Sequence, residues 1–183
     1  ERGNISSGDT VVVLGPGPVG LLAGDAARAL GAGRVIVVGR GERLAKATEL
    51  GFETVDYETS DPVETVQGVT DGIGCDVALD CAGVPDSYRW ALAMLHKGGR
   101  CASVGIPVED VLLSLQDLVL YEKELVGVRA TAGGMRRAMP LVADGRIRVN
   151  ELHTHTFPLD EFQLAIDTFN ERRDGALKVI LEP

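Results

Sequence analysis

The first regular stretch of the chain is Thr10-Val11-Val12-Val13-Leu14, an unbroken apolar run that leaves through Gly15-Pro16-Gly17-Pro18-Val19-Gly20. A run of this kind, too short for a buried helix, marks a strand buried on both faces. Beyond the turn, Leu22, Ala26 and Leu30 recur every four residues, with Asp25 and Arg28 off that row. That is helical period, and Gly31-Ala32-Gly33 stops it. Val35-Ile36-Val37-Val38 then begins a second strand. Strand, Gly-rich turn, helix and strand in this order specify a βαβ unit, because parallel strands need a crossover and the crossover is right-handed.

The rhythm continues. A short helix is expected over residues 43–50, stopped by Gly51, and a third strand over residues 54–57. Asp61-Pro62 fits an N-cap followed by a first-turn proline for a helix reaching Val69. A fourth strand, residues 76–80, exits through Cys81-Ala82-Gly83, and residues 85–95 are helical. A fifth strand over residues 100–104 leaves through Gly105-Ile106-Pro107; a sixth covers residues 125–129, and a helix covers residues 135–143. The expected fold is α/β: a doubly wound, six-stranded parallel sheet of the Rossmann kind with helices on both faces. The alternation breaks near Glu151. Residues 153–157 read as extended, 159–169 as a helix and 178–181 as a strand, a tail that packs away from the main sheet. The expected division is therefore 1–150 and 151–183.

Composition narrows the options. Of 183 residues, 45% are hydrophobic but only 4% aromatic, so the core is aliphatic. The net charge of −9 repels phosphate backbones and anionic lipid, which disfavours nucleic-acid and membrane partners. Cys75, Cys81 and Cys101 are odd in number, and no pair has the close spacing of a zinc knuckle or redox motif. They read as free thiols in a reducing compartment, the cytoplasm. No apolar run is long enough to span a bilayer. The chain opens Glu1-Arg2-Gly3-Asn4 without Met, which reads as a piece of something longer.

G-x-G-x-x-G alone is a weak signal, but here it stands between a strand and a helix with a second strand beyond. Gly15 permits the tight turn, Gly17 removes a side chain where a diphosphate would press on the backbone, and Gly20 lets the helix pack close to the sheet. Pro18 has no N–H, which costs little at a first helical position. Unpaired N–H groups at the helix start, around Pro18, Val19 and Gly20, suit a nucleotide diphosphate. The second strand ends in Gly39-Arg40, where a carboxylate that binds ribose hydroxyls would ordinarily stand. Glycine leaves room for a 2′-phosphate and Arg40 can clasp it, with Arg43 a second cation if it shares the rim. NADP is favoured, with NAD the alternative; in the second case Arg40 is a solvated arginine and Glu42 contacts the ribose. The small or apolar exit loops Cys81-Ala82-Gly83, Val104-Gly105-Ile106 and Ala130-Thr131-Ala132 suit the wall of a nicotinamide ring. His153 and His155 share a strand face, yet no cysteine or carboxylate joins them at metal-ligand spacing. His96 lies at a helix end, where a cation suits the dipole. No neighbour in sequence activates Cys81, and no catalytic acid–base pair is evident.

An ordered set of pieces carries a family resemblance: Ser7-Gly8-Asp9-Thr10-Val11 leading into GPGPVG, Asp76-Val77-Ala78-Leu79-Asp80-Cys81-Ala82-Gly83, and Gly98-Gly99-Arg100 with Val104-Gly105-Ile106-Pro107. Leu125-Val126-Gly127, Phe157-Pro158-Leu159 and Leu177-Lys178-Val179-Ile180-Leu181 complete it. Over essentially its whole length the chain resembles the cofactor-binding half of zinc-type medium-chain alcohol dehydrogenases. The resemblance implies an oxidoreductase fragment, inactive alone, whose whole enzyme moves a hydride between a carbinol and NAD(P). It implies that the zinc ligands lie in an absent N-terminal stretch and that residues 151–183 return to that catalytic domain. It implies diphosphate at Gly17 to Gly20, adenosine ribose near Gly39 and Arg40, nicotinamide against Val104, Gly105, Ile106 and Ala130, and Lys178 near the diphosphate. It also implies a homodimer or homotetramer paired through residues 125–129. Gly39 departs from the acidic residue of NAD-using members. The zinc-free quinone and enoyl reductase branch is the nearest alternative; Gly15 and Pro18 favour the zinc branch. A stand-alone dinucleotide-sensing domain is the alternative from another class, and the return-like tail argues against it.

Overall fold

A computed structural model describes residues 1–129 and 134–183. β1 (Thr10–Leu14) is central, with β2 (Arg34–Gly39) hydrogen-bonded on one side and β4 (Cys75–Asp80) on the other. β3 (Glu53–Asp56) flanks β2, while β5 (Leu95–Ser103) and β6 (Glu124–Gly127) extend the far side. The order is β3-β2-β1-β4-β5-β6, parallel throughout, as the alternation of elements requires. Successive residues of a strand face opposite sides, and here both sides are covered. Val11, Val13, Val35, Val37, Val77 and Leu79 pack under α1 (Pro18–Ala29) and α2 (Gly41–Glu49). Val12, Leu14, Ile36, Val38 and Ala78 pack under α3 (Pro62–Val69) and α4 (Pro85–Met94). Two buried faces are why β1 and β2 read as unbroken aliphatic runs.

Local signals behaved as their chemistry demands. Asp61 caps α3, its carboxylate accepting from Val63 N (2.8 Å) and Glu64 N (2.9 Å), with Pro62 in the first turn. Helix α6 (Gly134–Ala143) stands where a helix over residues 135–143 was expected. Four details differ. β5 starts at Leu95, not Arg100, because Leu95 pairs with Cys75 across an irregularity before Val77. His96 therefore lies in a strand beside Asp76 (Nε2 to Oδ1, 3.2 Å) and not at a helix end. A helix absent from the sequence reading, α5 (Leu115–Leu120), is capped by Ser114; six residues are too few to display a period. The sixth strand spans Glu124–Gly127, its pairing with β5 ending at Ser103–Gly127, so Val128 and Arg129 lie outside it.

The tail forms β7 (His153–Pro158), α7 (Phe162–Glu171) and β8 (Lys178–Glu182), and β7 and β8 make a separate two-stranded parallel sheet. It is nonetheless anchored on the main domain. Leu152 and Leu177 are buried in the cluster under α1 and α2. Asp25, 3% exposed on α1, accepts from Arg148 N (3.0 Å) and Nε (3.2 Å), and Arg148 Nη1 donates to Leu50 O. No helix among the described residues is long and apolar enough to cross a membrane.

Candidate functional site

The strand order reverses at β1, whose neighbours β2 and β4 lead to elements on opposite sides, and open α/β sheets bind ligands in the crevice at that point. A cleft of about 410 Å³ lies there, over the carboxyl ends of β1, β2 and β4. Gly15, Pro16 and Gly17 form one wall, with Cys81 and Ala82 opposite. Gly15 adopts φ +100°, donates to Val38 O (2.9 Å), and has Ala82 N 3.1 Å from where a Cβ would stand. Its lack of a side chain is thus required twice, by conformation and by space.

Gly17 is the N-cap of α1 and has open space where a Cβ would project; no side chain caps the helix, and no acidic residue stands in its first turn. The amides that start α1, around Val19 and Gly20, are left for an external acceptor. Pro18 occupies the first helical position, as its missing N–H allows. Gly20 serves packing: a Cβ there would collide with the Gly15 carbonyl oxygen.

At the far end of the cleft stand Gly39, Arg40 and Arg43, joined by Arg172, Tyr57 and Trp90. Arg40 Nη1 donates to Glu58 Oε1 at 2.6 Å, and its guanidinium lies 5.7 Å from the Tyr57 ring centre. The hydrogen bond to Glu58 holds Arg40 even more firmly protonated than usual. Arg43 is tied down, its Nη2 donating to Ala176 O at 2.8 Å; burial and then Arg172 lower its pKa. Arg40 and Arg43 do share one rim. Glu42 belongs to a smaller cleft beside them, lined also by Glu58 and Gly175.

Arg172 was missed because 132 positions of sequence separate it from Arg40; the left-handed turn that ends α7 (Arg172 φ 57°) delivers it to the cleft. Tyr57 and Trp90, 5.3 Å apart with rings at 42°, offer an aromatic surface that no spacing in sequence announces.

The loops after β4 and β5 interlock. Val104 N and Gly105 N both donate to Asp80 O at 2.8 Å, and Gly83 N donates to Asp80 Oδ2 at 3.1 Å. Tyr88 Oη donates to Gly105 O (2.8 Å) and contacts Ser103 Oγ (2.6 Å). Gly83 (φ +69°) would place a Cβ 2.9 Å from Ile106 N. Asp80, fully buried, thus organises both loops, a role hidden while it reads as the last residue of a strand. Cys81 and Ala82 line the cleft, whereas Gly83, Val104, Gly105 and the exposed Ile106 lie outside its lining.

Lys178 is exposed on β8 and is not among the residues lining the cleft. Ala130 lies outside the described residues. The ring of His153 contacts Thr156 Oγ1 (2.8 Å), and a register irregularity separates it from His155. Among the described residues, no group of three or more His, Cys, Asp or Glu side chains gathers as a metal site. The cysteines are free, and burial pushes each thiol up to about 12, far from a nucleophile's range.

The geometry is that of a nucleotide cleft on a doubly wound sheet, and comparison with known proteins agrees. The chain is 32% identical over 189 residues to an alcohol dehydrogenase of Cupriavidus necator, covering all of this chain and 52% of the relative. The structure of 2R,3R-butanediol dehydrogenase from Bacillus subtilis superposes with a TM-score of 0.91 at 28% identity, covering 99% of this chain and 52% of that one. A Sinorhizobium meliloti 1021 protein solved with NADP bound gives a TM-score of 0.89 at 31% identity, with 99% and 54% covered. The chain spans about half the length of the relatives it matches. A family profile described as zinc-binding dehydrogenase matches residues 18–144. With most of its length inside that match and its strand order that of the dinucleotide-binding sheet, the chain belongs to the zinc-binding dehydrogenase family.

Proposed function

We propose that this chain is the nicotinamide-dinucleotide-binding half of an alcohol or polyol dehydrogenase, with NADP(H) preferred. The observation that carries the reading is the open space at Gly17, beside an uncapped helix start, in the crevice between β1 and β4. A diphosphate laid there accepts from backbone amides and meets the positive end of α1. The adenosine ribose then falls near Gly39, where Arg40, Arg43 and Arg172 outnumber Asp86, the one carboxylate lining the main cleft among the described residues, and Glu58 of the neighbouring smaller cleft, the excess of cations that a 2′-phosphate requires. Tyr57 and Trp90 supply stacking surface at that end. The nicotinamide extends toward the wall held by Asp80. The coenzyme supplies the hydride chemistry; this chain's residues bind it, orient it and exclude water from its inner face. The NADP-bound relative supports the coenzyme class.

Residues 151–183 are read as the return to a catalytic domain in the other half of the protein. The exposed Phe162, Leu164 and Phe169 of α7 are the surface such a domain would cover. Zinc, where the whole protein holds it, is assigned to that other half. Lys178 is assigned to the approach to the diphosphate from β8, outside the lining of the cleft. The whole protein is read as a dimer or tetramer paired through the outer edge of β6, where Leu125 is exposed and the strand's outer side has no partner strand among the described residues. Three free thiols, two of them buried, suit a reducing compartment such as the cytoplasm.

Trp90 is the single tryptophan and lines the cleft, so its fluorescence reports occupancy. Titration with NADPH is expected to quench it saturably, and titration with NADH to need higher concentration. No change with either, confirmed by calorimetry, overturns the reading.

A further inference from the structure

Gly39 is not glycine for the sake of its backbone. Its φ lies outside the left-handed region, so any L-residue could adopt the local conformation. The constraint is space. The three atoms nearest to a Cβ built on Gly39 all belong to the Pro16 ring, with Cγ and Cδ in hard overlap and Pro16 Cβ at 3.4 Å. A pyrrolidine ring cannot swing aside, because its Cδ is bonded to the backbone nitrogen. Pro16 is itself fixed between Gly15, wedged against Ala82, and the N-cap Gly17. Any side chain at residue 39 therefore meets a wall built by the motif turn.

Residue 39 is also where a carboxylate would have to stand to accept the two ribose hydroxyls of an unphosphorylated coenzyme. We propose that Pro16 is a coenzyme-specificity residue: its ring fills the volume an acidic side chain at position 39 would need, and so shuts this cleft to the arrangement that selects NAD(H). The inference rests on the coenzyme reading above and adds a steric half to it. Arg40, Arg43 and Arg172 attract a 2′-phosphate, while Pro16 forbids the competing anion that would repel it. The two devices meet at one end of the cleft but come from different segments: Pro16 from the first turn, and the arginines from the start of α2 and the end of α7.

The test uses wild type, Pro16→Ala, Gly39→Asp and the double variant, with melting curves taken without coenzyme and Trp90 titrations with NADPH and NADH. Gly39→Asp alone is expected to melt about 5 °C lower, the size of an overpacked site in a domain of this length. It should bind both coenzymes at least about tenfold more weakly. Pro16→Ala alone should keep the preference for NADPH. The double variant should melt within about 2 °C of Pro16→Ala and prefer NADH by about tenfold, a change of sign that neither single variant shows. Should Gly39→Asp fail to fold, Gly39→Ala in both backgrounds carries the same comparison, the loss of Tm appearing only with Pro16 present. Gly39→Asp that melts like wild type and prefers NADH, or a double variant as unstable as the single, overturns the proposal. A wild type that binds neither coenzyme removes the coenzyme reading itself, and one that prefers NADH removes the specificity role; the melting comparison still decides whether Pro16 and residue 39 exclude one another.

Discussion

Gly17→Ala and Gly20→Ala separate binding from packing within one turn. At Gly17 the backbone (φ −78°, ψ 175°) suits alanine and a Cβ has open space around it. Alanine is the poorer N-cap by about 0.5–1 kcal/mol, while the loss of glycine's freedom in the unfolded chain returns about 0.4–1 kcal/mol. The two nearly cancel, so the Tm should stay within about 2 °C of wild type. The methyl group, however, stands where a diphosphate would contact the amides. A displacement that weakens two such contacts costs about 1.4–2.8 kcal/mol, a tenfold to hundredfold rise in Kd. At Gly20 the outcome reverses in kind. The new Cβ overlaps the Gly15 carbonyl oxygen and lies 3.1 Å from Gly15 C, backbone atoms that cannot rotate away, and 3.3 Å from the buried Val13 Cγ1. Helix α1 must lift from β1 at a cost of about 1–3 kcal/mol, or roughly 3–10 °C in Tm. Melting followed by circular dichroism and Trp90 titration with NADPH read both quantities from the same samples. Gly17→Ala that binds NADPH like wild type would refute the placement of the diphosphate; Gly20→Ala with an unchanged Tm would refute the packing argument.

Further outcomes are expected. Arg40→Ala should weaken NADPH about tenfold or more while changing NADH less than about twofold, since only the former offers a 2′-phosphate; equal losses would place Arg40 elsewhere. Arg172→Ala should do the same to a smaller extent, read by calorimetry with 2′-AMP against 5′-AMP, and equal affinities for the two nucleotides in wild type would contradict it. Arg148→Met leaves the Asp25 carboxylate buried without its cation, at a cost of about 3 kcal/mol, and urea unfolding should show it in the midpoint. Thiols that titrate near 9.0 when unfolded and about 12 when folded bind protons more tightly in the native state. Stability from this source is complete below pH 9 and lost as pH rises toward 12; a variant lacking all three thiols should show a shallower decline in Tm over that window.

Local physics made most of the main sheet legible. Runs such as Val11-Val12-Val13 and Val35-Ile36-Val37-Val38 can only be strands covered on both sides, and the glycines after β1 and the Asp61-Pro62 cap act within a few residues of themselves. Parallel strands joined by right-handed crossovers then leave little choice of topology. The glycine turn proposed to receive the diphosphate was visible for the same reason: strand, glycines and helix are contiguous. What the tertiary structure decided is everything that joins distant segments. Whether Arg43 and Arg172 reach the rim of Arg40, that Ala176 ties Arg43 down, and that Asp80 braces two loops depend on packing between elements far apart in sequence. Gly39 shows the difference most sharply. Read along the chain it is an empty place beside an arginine; in the fold it is empty because Pro16 occupies the space, and a side-chain volume has no signature in any local pattern.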